Sequence, residues 1–250
     1  MKEMPKIDKI TEYLKGGIKL SVCDETGSTN EDAKAFLRGN DAEKRVFVAN
    51  KQNAGKGRSG KTFFSPENGI YMTAVLPNVN LFEPGKTTTF AAVCVCRAIE
   101  VLTDKKPSIK WVNDIYLNGR KICGILCEAV PEKNAAIVGI GLNFRGNVRY
   151  LPDELKDKAG YLFGEGEGED GDRERLIAQI ANGLYTSAFD INEYKKRMFL
   201  LGKIVVYEKN GKKHEATAID VDDGGRLVVE ENGKITRLDS GEVSVKGKVL

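Results

Sequence analysis

Three cationic side chains stand in one short glycine-rich segment, GKGRSGKT, which runs from Gly55 to Thr62. Small residues separate Lys56, Arg58 and Lys61. Glycine allows the backbone to approach an anion closely, and free amide groups in such a loop add to the attraction of the cations. We therefore predict a clamp for a phosphate or a carboxylate, the alternative being a basic loop that contacts only water.

The same segment matches the P-loop pattern GxxxxGK[ST], so a P-loop nucleotide hydrolase is an alternative. That motif holds phosphate only where a helix begins directly after the loop, because the helix N-terminus supplies the amides and the dipole. Here Thr62 is followed by two phenylalanines and then by Ser65-Pro66. Because the residue before proline is driven out of the helical region, we expect no helix there and no P-loop.

A second group of charged residues lies in KWVNDIYLNGRKICGI, residues 110–125. Asn118-Gly119 is a strong two-residue hairpin signal, and it would bring Lys110, Asp114 and Lys121 together with Asn113. An apolar run follows Lys121 at once, so its ammonium group could project from a buried strand into a cleft and neutralise an oxyanion or a phosphate. The alternative is a surface lysine near a hairpin tip.

The composition narrows the choice of chemistry. His214 is the one histidine, so a two-histidine metal site is excluded and a Ser-His-Asp triad would have to use that residue. Lys plus Arg is 39 and Asp plus Glu is 36, a balance that gives no broad basic surface, so we expect no nucleic-acid partner. The five cysteines form no CxxC pair, and we expect reduced thiols. With neither an apolar signal region nor a membrane span, the sequence indicates a cytoplasmic protein.

The elements that would position these residues alternate between strands and helices. A short helix opens the chain, and a second helix is expected to begin near Ser28 or Thr29, after a strand. The apolar run 87–102 predicts a buried helix, and the glycine and acid alternation of 164–172 predicts an exposed loop. A further helix follows, which Asp172 could cap. Strands are expected at 18–26, 45–50, 69–76, around the 118–119 turn and at 135–144.

From about Lys203 the pattern changes to short β segments with turn signals between them. The turns are Asn210-Gly211, the run 222–225 and Asn232-Gly233, each typical of a hairpin. We predict a small antiparallel barrel there, with His214 as an ordinary surface residue.

Five segments in this order resemble the biotin protein ligase family. They are GSTN (27–30), NKQNAGKGRSGKTFFSP (50–66), GIYMTAVL (69–76), KWVNDIYLNGRKICGILCE (110–128) and VGIGLNF (138–144). The resemblance implies an α+β fold, in which a mixed-sheet catalytic domain of the biotin/lipoate ligase type (1–201) precedes a small C-terminal SH3-like β barrel (202–250). It also implies a two-step reaction: biotin and MgATP give biotinoyl-5′-AMP, and a specific lysine of a biotin carboxyl carrier protein then displaces AMP.

The resemblance also implies roles for individual residues. Lys121 and Arg58 would be catalytic, ATP with Mg²⁺ and biotin would be substrates, and no cofactor would be bound permanently or metal caged by the protein. The implied biotin contacts are Ser28, Thr29, Asn30, Gln52, Lys56, Gly57, Arg58, Lys121 and Gly124. The implied ATP and adenylate contacts are Arg58, Lys61, Phe63, Asn113, Asp114 and Asn143.

The sequence departs from the family's frequent pattern at three positions. Lys56 stands where Arg is frequent, Phe63 where Trp is frequent and Val112 where Pro is frequent. None of these changes removes a required charge or aromatic face. Few residues precede the first strand, so we expect no N-terminal DNA-binding module of the kind that some members carry, and hence no operator binding. A monomer or a homodimer is expected, without membrane attachment.

Two alternatives remain open. Lipoate-type protein ligases share the catalytic fold and the acyl-adenylate chemistry, although the GSTN and RKICG segments favour biotin. The second alternative is a catalytically silent protein that binds biotin or a carrier domain. The presence of both charged motifs argues against it.

Overall fold

A mixed seven-stranded sheet holds the first part of the chain together in the computed structural model, which describes residues 5–78, 84–209, 211–239 and 243–246. The strand order is β1-β2-β3-β7-β6-β5-β4, and only β1 and β2 pair in parallel. The strands are β1 (Lys19–Thr26), β2 (Arg45–Gln52), β3 (Ile70–Pro77), β4 (Ser108–Lys110), β5 (Asp114–Leu117), β6 (Arg120–Val130) and β7 (Ala135–Leu142).

Helices cover both faces of this sheet. Side chains alternate between the faces of a strand, and in β3 Met72 and Ala74 join the larger apolar core while Val75 joins a smaller one under Ala33 and Leu37. The second helix therefore lies on one face, and the long apolar helix lies with its neighbours on the other. The helices are α1 (Ile7–Tyr13), α2 (Thr29–Gly39), α3 (Pro84–Leu102), α4 (Asp172–Thr186) and α5 (Ile191–Arg197).

The hairpin predicted at Asn118-Gly119 is present. Both residues have positive φ, 51° and 76°, as a two-residue hairpin turn of type I′ requires, and β5 pairs with β6 around them. The register shifts between Ile115 and Tyr116, so that Lys121 pairs with Tyr116. The bulge therefore determines where the Lys121 side chain leaves the sheet.

A five-stranded antiparallel sheet forms the C-terminal part, in the order β11-β10-β9-β8-β12. Asn232 and Gly233, with φ of 51° and 78°, turn the β10–β11 hairpin as predicted, whereas Asn210 of the predicted Asn210-Gly211 turn lies outside the described residues. The two sheets confirm the predicted α+β class; the exact division at 201/202 stays a prediction. The strands are β8 (Ile204–Lys209), β9 (Lys212–Val221), β10 (Leu227–Glu231), β11 (Lys234–Leu238) and β12 (Val243–Val245).

The exposed loop predicted at 164–172 is present over most of its length. Residues 165–170 are exposed and outside helices and strands, whereas Asp172 is buried and is the first residue of α4. Asp172 does not cap α4, because Gly171 takes the N-cap position with φ of 87° and the Asp172 carboxylate accepts the Glu169 amide at 2.7 Å. His214 is partly exposed, and its ring stacks on Tyr207.

All five cysteines have free thiols, and Cys94, Cys96 and Cys123 are buried. In the part of the chain that the structure describes, no helix combines the length and the apolar character that crossing a membrane requires.

The C-terminal elements brace the segment that joins β4 to β5. The Trp111 indole donates to the carbonyl of Gly225, in the turn between β9 and β10, at 2.9 Å. The Tyr194 hydroxyl of α5 donates to the Val112 carbonyl at 3.1 Å, and the Phe199 amide donates to the Ile109 carbonyl at 3.2 Å. Two hydrogen bonds to the backbone and one from the Trp111 side chain thus hold the chain on both sides of Lys110.

Candidate active site

A cleft of ≈ 500 Å³ opens over the middle of the seven-stranded sheet. Strands β6 and β7 supply its floor through Gly124, Gly139 and Gly141, while the N-terminus of α2 and the glycine-rich loop supply two walls. The remaining wall combines residues 155–159 with Val243 and Ser244 of β12. Residues distant in sequence therefore meet at one site that neither sheet forms alone.

The N-terminus of α2 forms a buried polar end of the cleft. Ser28, Thr29 and Asn30 are all buried, and α2 begins at Thr29 as the sequence predicts. The Thr29 amide donates to Gln52 Oε1 at 2.9 Å, and its hydroxyl donates to the same oxygen at 3.2 Å. The Ser28 side chain makes no capping hydrogen bond, so its hydroxyl is not committed to the helix.

Asn30 is held by groups of the protein. Its carbonyl oxygen lies 2.7 Å from the Thr73 hydroxyl, and its amide nitrogen donates to Glu128 at 2.8 Å. Gly139 lies directly against this side chain, and a Cβ there would clash with the amide. Asn30 therefore fixes α2 to β3 and β6 through hydrogen bonds, and its contact with a ligand stays a prediction.

The glycine-rich loop is followed by extended chain. Arg58–Gly60 make a single 3₁₀ turn, Lys56 and Thr62 form an isolated β-bridge, and the Gly57 amide donates to the Lys61 carbonyl at 2.7 Å. With no helix directly after Thr62, the P-loop alternative is wrong for these residues.

Side chains of this loop reach the rest of the cleft. Arg58 Nη1 donates to Asn113 Oδ1 at 3.0 Å, and Lys56 Nζ lies 2.7 Å from Glu31 Oε1. The Phe63 ring lies over the floor, since a Cβ at Gly124 would come within 3.1 Å of that ring and one at Gly141 within 2.5 Å. Glycine at these two positions lets an aromatic ring approach the sheet.

Lysines on the strands form the third part of the site. Lys121 Nζ lies 2.6 Å from Asp114 Oδ1, with 30% and 23% of these side chains exposed. Lys110 lines the cleft beside them and is half-buried. Burial lowers the pKa of Lys110 below its usual value, and the charges of Lys121 and Lys61 lower it further, while Asp114 opposes the shift.

The cleft is lined by every predicted site residue except Asn143. Its side-chain amide donates to the Gly160 carbonyl at 2.9 Å, and its backbone amide donates to the Ile122 carbonyl at 2.8 Å. Asn143 is absent from the cleft lining and supports residues 160–162, so its predicted adenylate contact stays a prediction.

Other lining residues were missed from the sequence. Lys110 belongs to the predicted hairpin group but was not assigned a role, whereas Lys158 and Ser244 carry no local signal, because they reach the cleft only through the fold. Hydrogen bonds between the backbones of Lys121 and residues 158–160 hold Lys158 there. Among the described residues, no cluster of three or more His, Cys, Asp or Glu side chains could hold a metal ion.

Two family models match the mixed sheet with its cation-lined cleft and the five-stranded sheet that follows it. The Biotin/lipoate A/B protein ligase family model matches residues 22–144, and the Biotin protein ligase C terminal domain model matches residues 200–246.

The chain is 32% identical to the bifunctional ligase/repressor BirA of Bacillus subtilis, over 92% of this chain and 74% of that protein. It is 28% identical to the biotin–[acetyl-CoA-carboxylase] ligase of Mycobacterium tuberculosis, over 94% of this chain and 92% of that protein. The solved structure of the biotin protein ligase from Aquifex aeolicus in complex with biotin and ATP has a TM-score of 0.75 at 26% identity, covering 91% of this chain and 98% of that one. This chain belongs to the biotin protein ligase family and is a ligase.

Proposed function

We propose that this ligase activates biotin as biotinoyl-5′-AMP and transfers it to a specific lysine of a biotin carboxyl carrier protein. The observation that carries this proposal is the meeting of Arg58 and Lys121, from two separate segments, in a cleft whose other end is buried and polar. Relatives named biotin–[acetyl-CoA-carboxylase] ligase, and a similar structure that holds biotin and ATP, support it.

In the first step, a carboxylate oxygen of biotin attacks the α-phosphorus of ATP. The bond from that phosphorus to the oxygen bridging to the β-phosphorus breaks, and pyrophosphate leaves with the electron pair. Both reactants are anions, so their approach must be made favourable by fixed cations. Arg58, a fork-shaped donor, and Lys121, a point charge, would sit on the carboxylate and the α-phosphate. Mg²⁺ would arrive with ATP as part of the substrate.

The polar end of the cleft suits the ureido ring of biotin. Ser28, Thr29 and Gln52 offer hydroxyl and amide groups there, and a buried polar ligand group needs such partners. Gly57 and Lys56 would close over the bound molecule, and Gly124 would let it approach the sheet. Phe63, Lys61, Asn113 and Asp114 would form the adenylate side.

In the second step, the neutral ε-amine of the carrier lysine attacks the acyl carbon of biotinoyl-5′-AMP. The bond between that carbon and the bridging oxygen breaks, AMP leaves with the oxygen, and the new amide loses one proton. AMP is a good leaving group, so no histidine base is required. The free cysteine thiols agree with a reducing, cytoplasmic setting.

Biotin-dependent exchange of labelled pyrophosphate into ATP tests this proposal. The purified chain is incubated with ATP and pyrophosphate, together with biotin, with lipoate or with no acid. We expect exchange with biotin alone, followed by transfer to an added carrier domain. Exchange that depends on lipoate would identify a lipoate ligase, and biotin binding without any exchange would identify a silent binding protein.

A further inference from the structure

Lys110 is a cation of the cleft to which neither the motifs nor the reaction described above assigns a role. It is the last residue of β4, and its Cα lies opposite that of Asp114 in β5. Residues directly opposite in an antiparallel pair share a face of the sheet, so Lys110 stands on the face that carries Asp114. Its side chain lines the cleft and is half-buried.

The charges around Lys110 leave an excess of positive charge. The nearby Asp114 carboxylate is already paired with Lys121 at 2.6 Å. The side-chain ammonium group of Lys110 makes no hydrogen bond or ion pair with any residue that the structure describes. Burial and the charges of Lys121 and Lys61 together outweigh the attraction of Asp114, as the lowered pKa of Lys110 reflects. An entering polyanion would relieve this cost.

The backbone on both sides of Lys110 is fixed. Ile109, Trp111 and Val112 are buried, and each accepts or donates one of the three hydrogen bonds from the C-terminal elements. A charge on such a braced strand needs little rearrangement during the reaction, which makes its interaction with a developing negative charge stronger.

We infer that Lys110 is a catalytic residue of the first step, whose ammonium group contacts the β- and γ-phosphates of ATP and then the leaving pyrophosphate. The inference rests on the proposed function. Arg58 and Lys121 already serve the carboxylate and the α-phosphate there, and pyrophosphate is the more highly charged group that remains. Lys110 transfers no proton; it stabilises the negative charge that the bridging oxygen gains when its bond to the α-phosphorus breaks.

Lys110→Met and Lys110→Arg test this role, with Lys106→Met as the matched control. Lys106 is an exposed lysine just before β4 and outside the cleft. Three quantities are measured in the full-length chain: biotin-dependent pyrophosphate exchange, the KM for pyrophosphate in that exchange, and single-turnover transfer from synthetic biotinoyl-5′-AMP to a carrier domain. The transfer reaction contains no pyrophosphate, so it reports whether the variant still folds and binds the intermediate.

We expect Lys110→Met to lower exchange by ~100-fold and to raise the KM for pyrophosphate, with transfer from the intermediate within about twofold of wild type. Lys110→Arg should recover at least a tenth of the exchange, since it keeps the charge, and Lys106→Met should match wild type. An unchanged KM for pyrophosphate, or an equal loss in exchange and transfer, would overturn the inference. Absence of exchange in the wild type would instead contradict the proposed function.

Discussion

The cations of the cleft come from two regions that hold them differently. Lys110 and Lys121 are half-buried on strands of the seven-stranded sheet, Lys110 between two buried residues and Lys121 just before the buried Ile122. Lys56 and Arg58 lie on a loop that a 3₁₀ turn and one isolated bridge organise, and their side chains contact Glu31 and Asn113. Groups on strands are placed more accurately than groups on loops.

This difference indicates that the strand cations and the loop cations serve different steps of the reaction. A charge in partly dry surroundings interacts more strongly than one in water, so the strand lysines are suited to stabilise the transition state. Cations on a loop that covers the cleft are suited to retain the intermediate. We therefore expect substitutions on the strands to slow adenylation, and substitutions in the loop mainly to speed the loss of biotinoyl-5′-AMP.

The largest effect is expected for Lys121→Ala. Loss of the ammonium group that we place between the carboxylate and the α-phosphate should lower biotin-dependent pyrophosphate exchange by ~10²–10³-fold. Because this change also leaves the Asp114 carboxylate without its partner, the double variant Lys121→Ala, Asp114→Ala is the control. Exchange that stays near wild type in the single variant, or that the double variant restores, would contradict a direct role for Lys121.

A smaller effect on chemistry and a clear effect on retention are expected for Arg58→Gly. The substitution removes a hydrogen-bond donor that we place on the anionic part of the intermediate. Loss of ~1.4 kcal/mol of binding free energy corresponds to about a tenfold faster release of biotinoyl-5′-AMP. Release is measured by chasing labelled intermediate with unlabelled biotin and ATP, with Arg58→Lys as the variant that retains the charge. A release rate equal to that of wild type would remove the distinction between loop and strands.

The sequence predicted local features better than long-range ones. The turn at Asn118-Gly119, the start of α2 at Thr29 and the absence of a helix after Thr62 follow from rules that act over a few residues. Lys158 and Ser244 reach the cleft only because residues 155–159 lie beside β6 and β12 lies at the rim. No local rule contains that information.

Asn143 shows what a motif leaves out. Its position in the VGIGLNF segment predicts a ligand contact through the family resemblance, and that contact stays a prediction. The structure adds a second partner, because the side-chain amide donates to the carbonyl of Gly160, seventeen residues further along the chain. The motif itself gives no signal for that partner.

Trp111→Phe tests whether the strand cations depend on the C-terminal sheet. The substitution keeps an aromatic ring but removes the indole donor, leaving the Gly225 carbonyl unpaired at a cost of ~1–2 kcal/mol in the free energy of unfolding. We expect this loss in urea unfolding, together with slower exchange and an unchanged rate of release of the intermediate. Faster release with normal exchange would show that Trp111 supports the loop instead.

The smallest effect is expected for Glu31→Gln, at the contact between the loop and α2. Hydrogen bonds from Lys56 and then Lys34 hold the pKa of Glu31 below its usual value, so its carboxylate is ionised at neutral pH and pairs with Lys56 at 2.7 Å. Exposed pairs contribute only ~0.5 kcal/mol, which corresponds to about a twofold faster release of the intermediate. This increment should be present at low ionic strength and absent at high salt, because salt screens exposed charges. Release faster than in Arg58→Gly would contradict this order of effects. It would mean that the contact between Lys56 and Glu31 of α2 slows release of the intermediate more than the guanidinium group of Arg58 does.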